Sequence, residues 1–258
     1  MIETQIIVEK KIKPKNPILI VGLPGIGNIG RVVVGYLVHK LKVERFAQLF
    51  SPFFFPFVLI HNNAVHVLRN EFYYYKNPKG NDLIFLIGDV QTYDPKAHYE
   101  VAGKIVDFVQ SLSVKKIITI GGFGTGLLTE KPKVYGIVSN PELISEYKKY
   151  NINFDVGGKI GTIVGAAGLI VGLGSIKGID GIVLLGETTG MPILTDPASA
   201  EAVLEVLQKM INIKVDTSEL SEKAKSMHAF IKKLEEIQNQ AVEQMQKGKK
   251  SEELKYIG

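Results

Sequence analysis

Two carboxylates and a threonine stand where an open α/β sheet would place its ligand. Asp89 lies in Gly88–Asp89–Val90–Gln91 and Glu187 in Gly186–Glu187–Thr188–Thr189–Gly190, each directly after an apolar run. Thr125 belongs to the glycine-rich turn 121–126. Side chains at the carboxyl ends of parallel strands face the crevice in which such sheets bind ligands. Asp89, Thr125 and Glu187 are therefore a candidate ligand crevice, with the paired acids of a hydrolase- or phosphorylase-like site. The same residue types also cap helices and accept from turn amides. A nucleophile with its base and orienting partner does not accompany them, so no catalysis is expected.

A second constellation is Gly22–Leu23–Pro24–Gly25–Ile26–Gly27–Asn28–Ile29–Gly30, in which Gly25, Gly27 and Gly30 have the spacing of a dinucleotide fingerprint. Such a site needs an acid about 20 residues further on for the ribose hydroxyls. No Asp or Glu occurs between Arg45 and Asn70, and Pro24 removes an amide from the turn. Arg31 follows Gly30, so the lysine-ending phosphate loop is absent as well. The glycines then serve sterics, positive φ and close helix–strand approach, and no cofactor is expected. His39, His61, His66, His98 and His228 do not pair with carboxylates at short helical spacing, so no metal centre is expected either. With no cysteine in the chain, disulfides and thiolate chemistry are excluded.

The elements that position these residues are legible from apolar runs. Residues 17–21, 82–88, 116–122 and 181–186 are apolar without alternation, as strands buried on both faces are. Helical spacing follows over 28–42, 95–110 and 197–210, the last with Asp196 as N-cap ahead of Pro197. The region between the first two runs reads as a meander. It has extended residues 45–50, a proline-bounded aromatic stretch 51–57, a hairpin of 58–61 with 65–68 turned by Asn62–Asn63, and a tyrosine-rich strand 71–76. The expected fold is an α/β three-layer sandwich with a mostly parallel central sheet, a meander-like strand region and a long C-terminal helix. Its divisions are an α/β core domain over 1–215, a helical extension over 216–247 and a flexible tail over 248–258.

The extension carries Leu220, Ala224, Met227, Ile231, Leu234, Gln238, Ala241 and Met245 in steps of three and four, the spacing of a helix-packing seam. The polar tether 248–253 then ends in Leu254–Lys255–Tyr256–Ile257–Gly258, an apolar tip suited to binding a partner. The triplets Phe53–Phe54–Phe55 and Tyr73–Tyr74–Tyr75 point to subunit contact, because exposed aromatics are enriched at interfaces. The formal net charge is +5, yet lysines alternate with glutamates near the C-terminus, so no nucleic-acid face is expected. The uncharged segment 160–176 is broken by glycines and shorter than the roughly 20 residues of a span, so it reads as packed against the sheet rather than in a membrane. Residues 1–11 carry acids and lack the apolar core of a secretory leader, so a cytoplasmic protein is expected.

Taken in order, the 22–30 turn, the proline–aromatic stretch, Gly88–Asp89–Val90–Gln91, Gly121–Gly122–Phe123–Gly124–Thr125–Gly126 and Gly186–Glu187–Thr188 resemble the archaeal branch of the proteasome assembly chaperone family. The set spans residues 15–210, most of the chain. The resemblance implies a phosphorylase-like α/β sandwich without catalytic role, homo-oligomeric, with proteasome α subunits or a similar ring assembly as partner. Some members act through C-terminal tails that read hydrophobic residue, tyrosine, any residue. Here Ile257 is next to last and Tyr256 stands one place earlier. By that resemblance Leu254, Tyr256 and Ile257 fill an apolar slot and the Gly258 carboxylate pairs with a partner lysine.

Overall fold

The computed structural model describes residues 2–127, 129, 131–158, 161–190, 194–227 and 229. In chain order the elements are β1 (Gln5–Val8), β2 (Ile18–Gly22), α1 (Ile29–Lys40), β3 (Glu44–Phe50), β4 (Val58–His61), β5 (Ala64–Val67), β6 (Asn70–Tyr75) and β7 (Leu83–Gly88). They continue with α2 (Pro95–Ser111), β8 (Lys116–Gly124), β9 (Val134–Val138), α3 (Ile144–Tyr147), α4 (Ala166–Ile176), β10 (Asp180–Thr188) and α5 (Pro197–Ile211).

Eight strands form one sheet in the order β1-β3-β6-β7-β2-β8-β10-β9, and β4-β5 form a separate hairpin. The four apolar runs of the sequence are its centre: β7, β2, β8 and β10 are parallel neighbours. Every residue of β2 is buried, as a strand covered on both faces requires. Antiparallel strands flank this centre, with β6, β3 and β1 on one side and β9 on the other.

Strand alternation divides the core into two apolar layers. Leu19, Val21, Ile84, Leu86, Ile117 and Val183 point toward α2 and α4. Ile18, Ile20, Phe85, Ile118, Ile182 and Leu184 point toward α1 and α5. This is the three-layer sandwich that the sequence predicts. Both long surface helices begin on an aspartate followed by proline: Asp94 accepts from Ala97 N at 2.9 Å and Asp196 from Ser199 N at 3.0 Å. The hairpin turn is as read, with Asn62 and Asn63 both at positive φ.

Three features go beyond the sequence reading. β9 adds an antiparallel edge to β10, and residues 141–150 form short helical turns beside it. Among the described residues 161–176, Ala166–Ile176 is helical, opened by Gly165 at φ 92°, while 161–164 form a loop. No helix among the described residues is long and apolar enough to cross a membrane. The C-terminal helix begins at 218, where Ser218 N donates to Asp216 Oδ1 at 3.0 Å. Leu220 and Ala224, its first two seam positions, are buried, and Leu220 joins the α1/α5 layer. Tyr36 OH donates to Asp216 O at 2.8 Å and Lys40 pairs with Glu219 at 2.7 Å, fastening the helix root to α1. The seam from Ile231 to Met245 lies outside the described residues.

The start of α1 presses backbone to backbone on the sheet. A Cβ on Gly22 would lie inside contact distance of Gly30 O, and one on Gly122 inside that of Ile26 O. Gly122→Ala should therefore lower stability by about 1–3 kcal/mol through overpacking. Gly103, inside α2 with open space around it, is the control. Gly103→Ala should raise stability by roughly 0.5–1 kcal/mol, both read by denaturant titration.

On β6 two phenols are held protonated. Burial and then Glu71 push Tyr73 up to about 12, and burial and then the hydrogen bond to Asp82 push Tyr74 to about 12. In the unfolded chain both ionise near pH 10. Their stabilisation is thus intact below about pH 10 and lost as pH rises toward 12. Thermal melts of wild type and Tyr73→Phe/Tyr74→Phe across that window should show the decline shrinking in the double variant.

Candidate functional site

The carboxyl ends of β2, β8 and β10 enclose a cavity of about 520 Å³. Its walls come from the 22–30 turn, the glycines at the end of β8, the 161–164 loop and the start of α4, with Thr189 and Gly190 beyond β10. The turn reverses sharply because Gly27 and Asn28 are both left-handed, at φ 63° and 52°. Gly30 then passes so close to β8 that a Cβ would meet Ile120 O at 2.5 Å. Of the fingerprint-like glycines, Gly30 thus answers to close approach and Gly27 to its left-handed backbone, while Gly25 has room for a Cβ.

Gln91 crosses the floor of this cavity. Its Nε2 donates to Pro24 O, and its Oε1 accepts from Ala166 N at 2.9 Å, at the first turn of α4. One side chain thereby joins the turn after β2 to the helix on the opposite wall. The sequence held no sign of this bridge beyond the position of Gln91 two residues after Asp89.

The three residues expected in the crevice are engaged elsewhere. None of them is among the residues that line the cavity. Asp89 Oδ2 accepts from Arg69 N at 3.2 Å, while its own amide donates to Arg69 O at 3.0 Å. Arg31, in the first turn of α1, stands 3.7 Å from its other carboxylate oxygen. Asp89 therefore clasps the chain where it returns from the β4–β5 hairpin. Glu187 accepts from Lys133 N at 3.1 Å and its amide donates to Lys133 O at 2.9 Å, extending the β9–β10 ladder by one residue. Thr125 ties the end of β8 to β10, its amide 2.8 Å and its hydroxyl 3.3 Å from Thr188 O. Acids that follow strands here are consumed by backbone amides, the local competition that turns offer.

The cavity wall carries the hydroxyls of Thr162 and Thr189 and, among the described residues, no charged side chain. Among the described residues no group of three or more His, Cys, Asp or Glu is placed to hold a metal. His61 and His66 lie diagonally across the hairpin with ring centroids 6.4 Å apart. The expected partner-binding residues Leu254, Lys255, Tyr256, Ile257 and Gly258 lie outside the described residues.

Residues 19–235 match the model of the PAC2 family. The crystal structure of Pyrococcus furiosus PbaB, an archaeal proteasome activator, superposes with a TM-score of 0.84 at 39% identity, covering 91% of this chain and 100% of that one. Pyrococcus furiosus PbaA, an archaeal homolog of proteasome-assembly chaperone, superposes with a TM-score of 0.74 at 27% identity, covering 99% and 100%. An uncharacterized protein of Methanocaldococcus jannaschii is 40% identical over 252 residues, 96% of this chain and 95% of its own.

The Gln91 bridge gives a direct test of how the cavity is held. Gln91→Ala strands Pro24 O and Ala166 N, which should cost about 1–3 kcal/mol. Gln91→Glu keeps the acceptor for Ala166 N but sets a carboxylate oxygen against Pro24 O, so its denaturation midpoint should also fall below that of wild type.

Proposed function

This chain belongs to the PAC2 family, and from that premise we propose that it is a cytoplasmic homo-oligomer that binds the proteasome and does no catalysis. The observation that carries this reading is the likeness, over nearly the whole chain, to an archaeal proteasome activator. The site geometry supports it from another side. Asp89 and Glu187 are bound to backbone amides, and the cavity at the strand ends has no charged residue among its described lining.

In this proposal the contact with proteasome α subunits is made by Leu254, Lys255, Tyr256, Ile257 and Gly258. Tyr256 and its apolar neighbours supply buried area, and the terminal carboxylate supplies a charge for a partner lysine. The tether 248–253 is polar and charged, so it remains hydrated while the tip binds. Each tip alone binds weakly. Several on one oligomer act at high effective concentration, and avidity then exceeds single-site affinity by orders of magnitude. The displaced tyrosine, one place earlier than in the family pattern, shifts which side chain reaches the deepest part of the slot.

A second reading takes the 520 Å³ cavity as a small-molecule site. Its polar groups are hydroxyls and backbone, which suits an uncharged ligand such as a nucleoside. A thermal-shift screen against nucleosides and nucleotides addresses it, and no response removes it.

The main proposal is tested by deleting residues 254–258 and measuring association with proteasome α subunits. Apparent affinity should fall at least tenfold, or about 1.4 kcal/mol. Unchanged binding rules out the tail mechanism, and a full-length chain that does not bind at all rules out the proteasome reading.

A further inference from the structure

At the pole opposite the strand-end cavity lies a second groove, of about 490 Å³. Tyr75, on its wall, pairs with Leu83, the first residue of β7, which puts the groove at the amino ends of the parallel strands. Three segments distant in sequence meet there: the link from β1 to β2, the end of α1 with the start of β3, and the end of β6. They bring Lys10, Lys11, Lys13, Lys42 and Lys76 around one acid, Glu44. Glu44 is engaged by Lys10, and the two side chains are 72% and 62% exposed, so a partner carboxylate exchanges for Glu44 at little cost. Among the described residues no acid stands within ion-pair distance of Lys11, Lys13, Lys42 or Lys76. The floor between the lysines is apolar, formed by the half-buried Ile12, Leu41, Val43, Tyr74 and Tyr75.

At Lys42 the charge is kept against the preference of the backbone. α1 closes with Val43 N donating to Val38 O at 3.4 Å and Lys42 N to His39 O at 3.3 Å, which holds Lys42 left-handed at φ 49°. The same closure ends α2, α4 and α5, where the left-handed residue is Ser113, Gly178 and Asn212. Glycine and asparagine suit this place and a long side chain does not. Of the eight non-glycine residues described at positive φ, six are asparagine, and Lys42 alone is charged. A cation held on unfavourable backbone beside an apolar floor is the kind of strain that marks functional positions.

We propose that this groove docks an acidic segment of a partner protein, with its carboxylates on the lysines and an apolar side chain on the floor. Such docking uses no residue beyond Lys76, so it stands or falls apart from the tail mechanism. Charge selects the occupant. A second copy carries the same net +5 and brings positive charge to a groove already positive. The chain's own terminus complements it no better, because Lys247, Lys249, Lys250 and Lys255 outnumber Glu252, Glu253 and the terminal carboxylate.

The floor and the cations both favour a peptide over a nucleic acid. Tyr74 donates its hydroxyl to Asp82 Oδ2 at 2.8 Å and packs its ring on the core, so it is no open platform for a base. Among the described lining residues there is no arginine, the side chain whose planar fork grips phosphate through two bonds. Ile12, Leu41 and Val43 instead match a leucine set between carboxylates.

The test is fluorescence anisotropy of a labelled peptide alternating glutamate with leucine, titrated with the full chain at low salt. The peptide should bind, and added salt should release it. Its counterpart with glutamine for glutamate should bind several-fold more weakly. Lys11→Gln/Lys13→Gln/Lys76→Gln should weaken the glutamate peptide roughly tenfold. Lys131→Gln/Lys133→Gln/Lys209→Gln, which removes three charges from a different cleft, should leave binding unchanged. Lys42→Asn separates binding from folding: affinity should fall about two- to fivefold, while the melting temperature holds or rises because asparagine accepts the left-handed backbone. Equal losses in the two triple variants mean attraction to net charge alone and overturn the groove. No binding by wild type, or full binding in both Lys42→Asn and the groove triple, overturns it as well. A thymidine oligonucleotide that displaces the peptide and loses affinity in the groove triple gives the site to nucleic acid and overturns the peptide.

Discussion

The structure depends on one close approach of backbone to backbone. Gly22, Gly30 and Gly122 carry no Cβ at the points where the turn after β2 lies on the sheet, and any side chain there would meet a carbonyl. Removing three Cβ atoms lets the first turn of α1 settle between β2 and β8. Other elements are then referred to that turn by single hydrogen bonds. Gly27 O accepts from Asp196 N at 2.9 Å, which sets the start of α5. Pro24 O accepts from Gln91, whose other amide atom holds the start of α4. Helices on both faces of the sheet are thus positioned from one loop of the chain.

The frame was readable because its signals are local and strong. Four unbroken apolar runs gave the parallel centre, and Asp196 ahead of Pro197 placed the start of α5. Asn62–Asn63 marked the hairpin turn, since asparagine tolerates left-handed backbone. β9 left little trace: five residues with a glycine in the middle, ordered by pairing to β10 and by Ile152 and Phe154 packing where a Gly136 side chain would be. Such an edge strand is specified by its neighbours and not by its own pattern.

The site was less legible, for a reason that follows from the turns. Asp89, Thr125 and Glu187 were placed correctly along the chain, at the ends of β7, β8 and β10. Which way each side chain turns is decided by free amides nearby, and Arg69 N and Lys133 N claim both carboxylates. Those donors lie 20 and 54 residues away, beyond any local pattern. The residue that does shape the cavity, Gln91, also acts over long separations, to Pro24 and Ala166. In this member of the PAC2 family the strand-end acids Asp89 and Glu187 thus bond to backbone amides of neighbouring segments.

The two flanks of the sheet have a consequence for how such chains associate. One ends in β1, four residues followed by Glu9, Lys10 and Lys11; the other ends in β9, five residues long. Short borders with charge beside them make poor templates for a further strand. Neither flank therefore offers a long, bare and flat border on which a strand of another chain could extend the sheet.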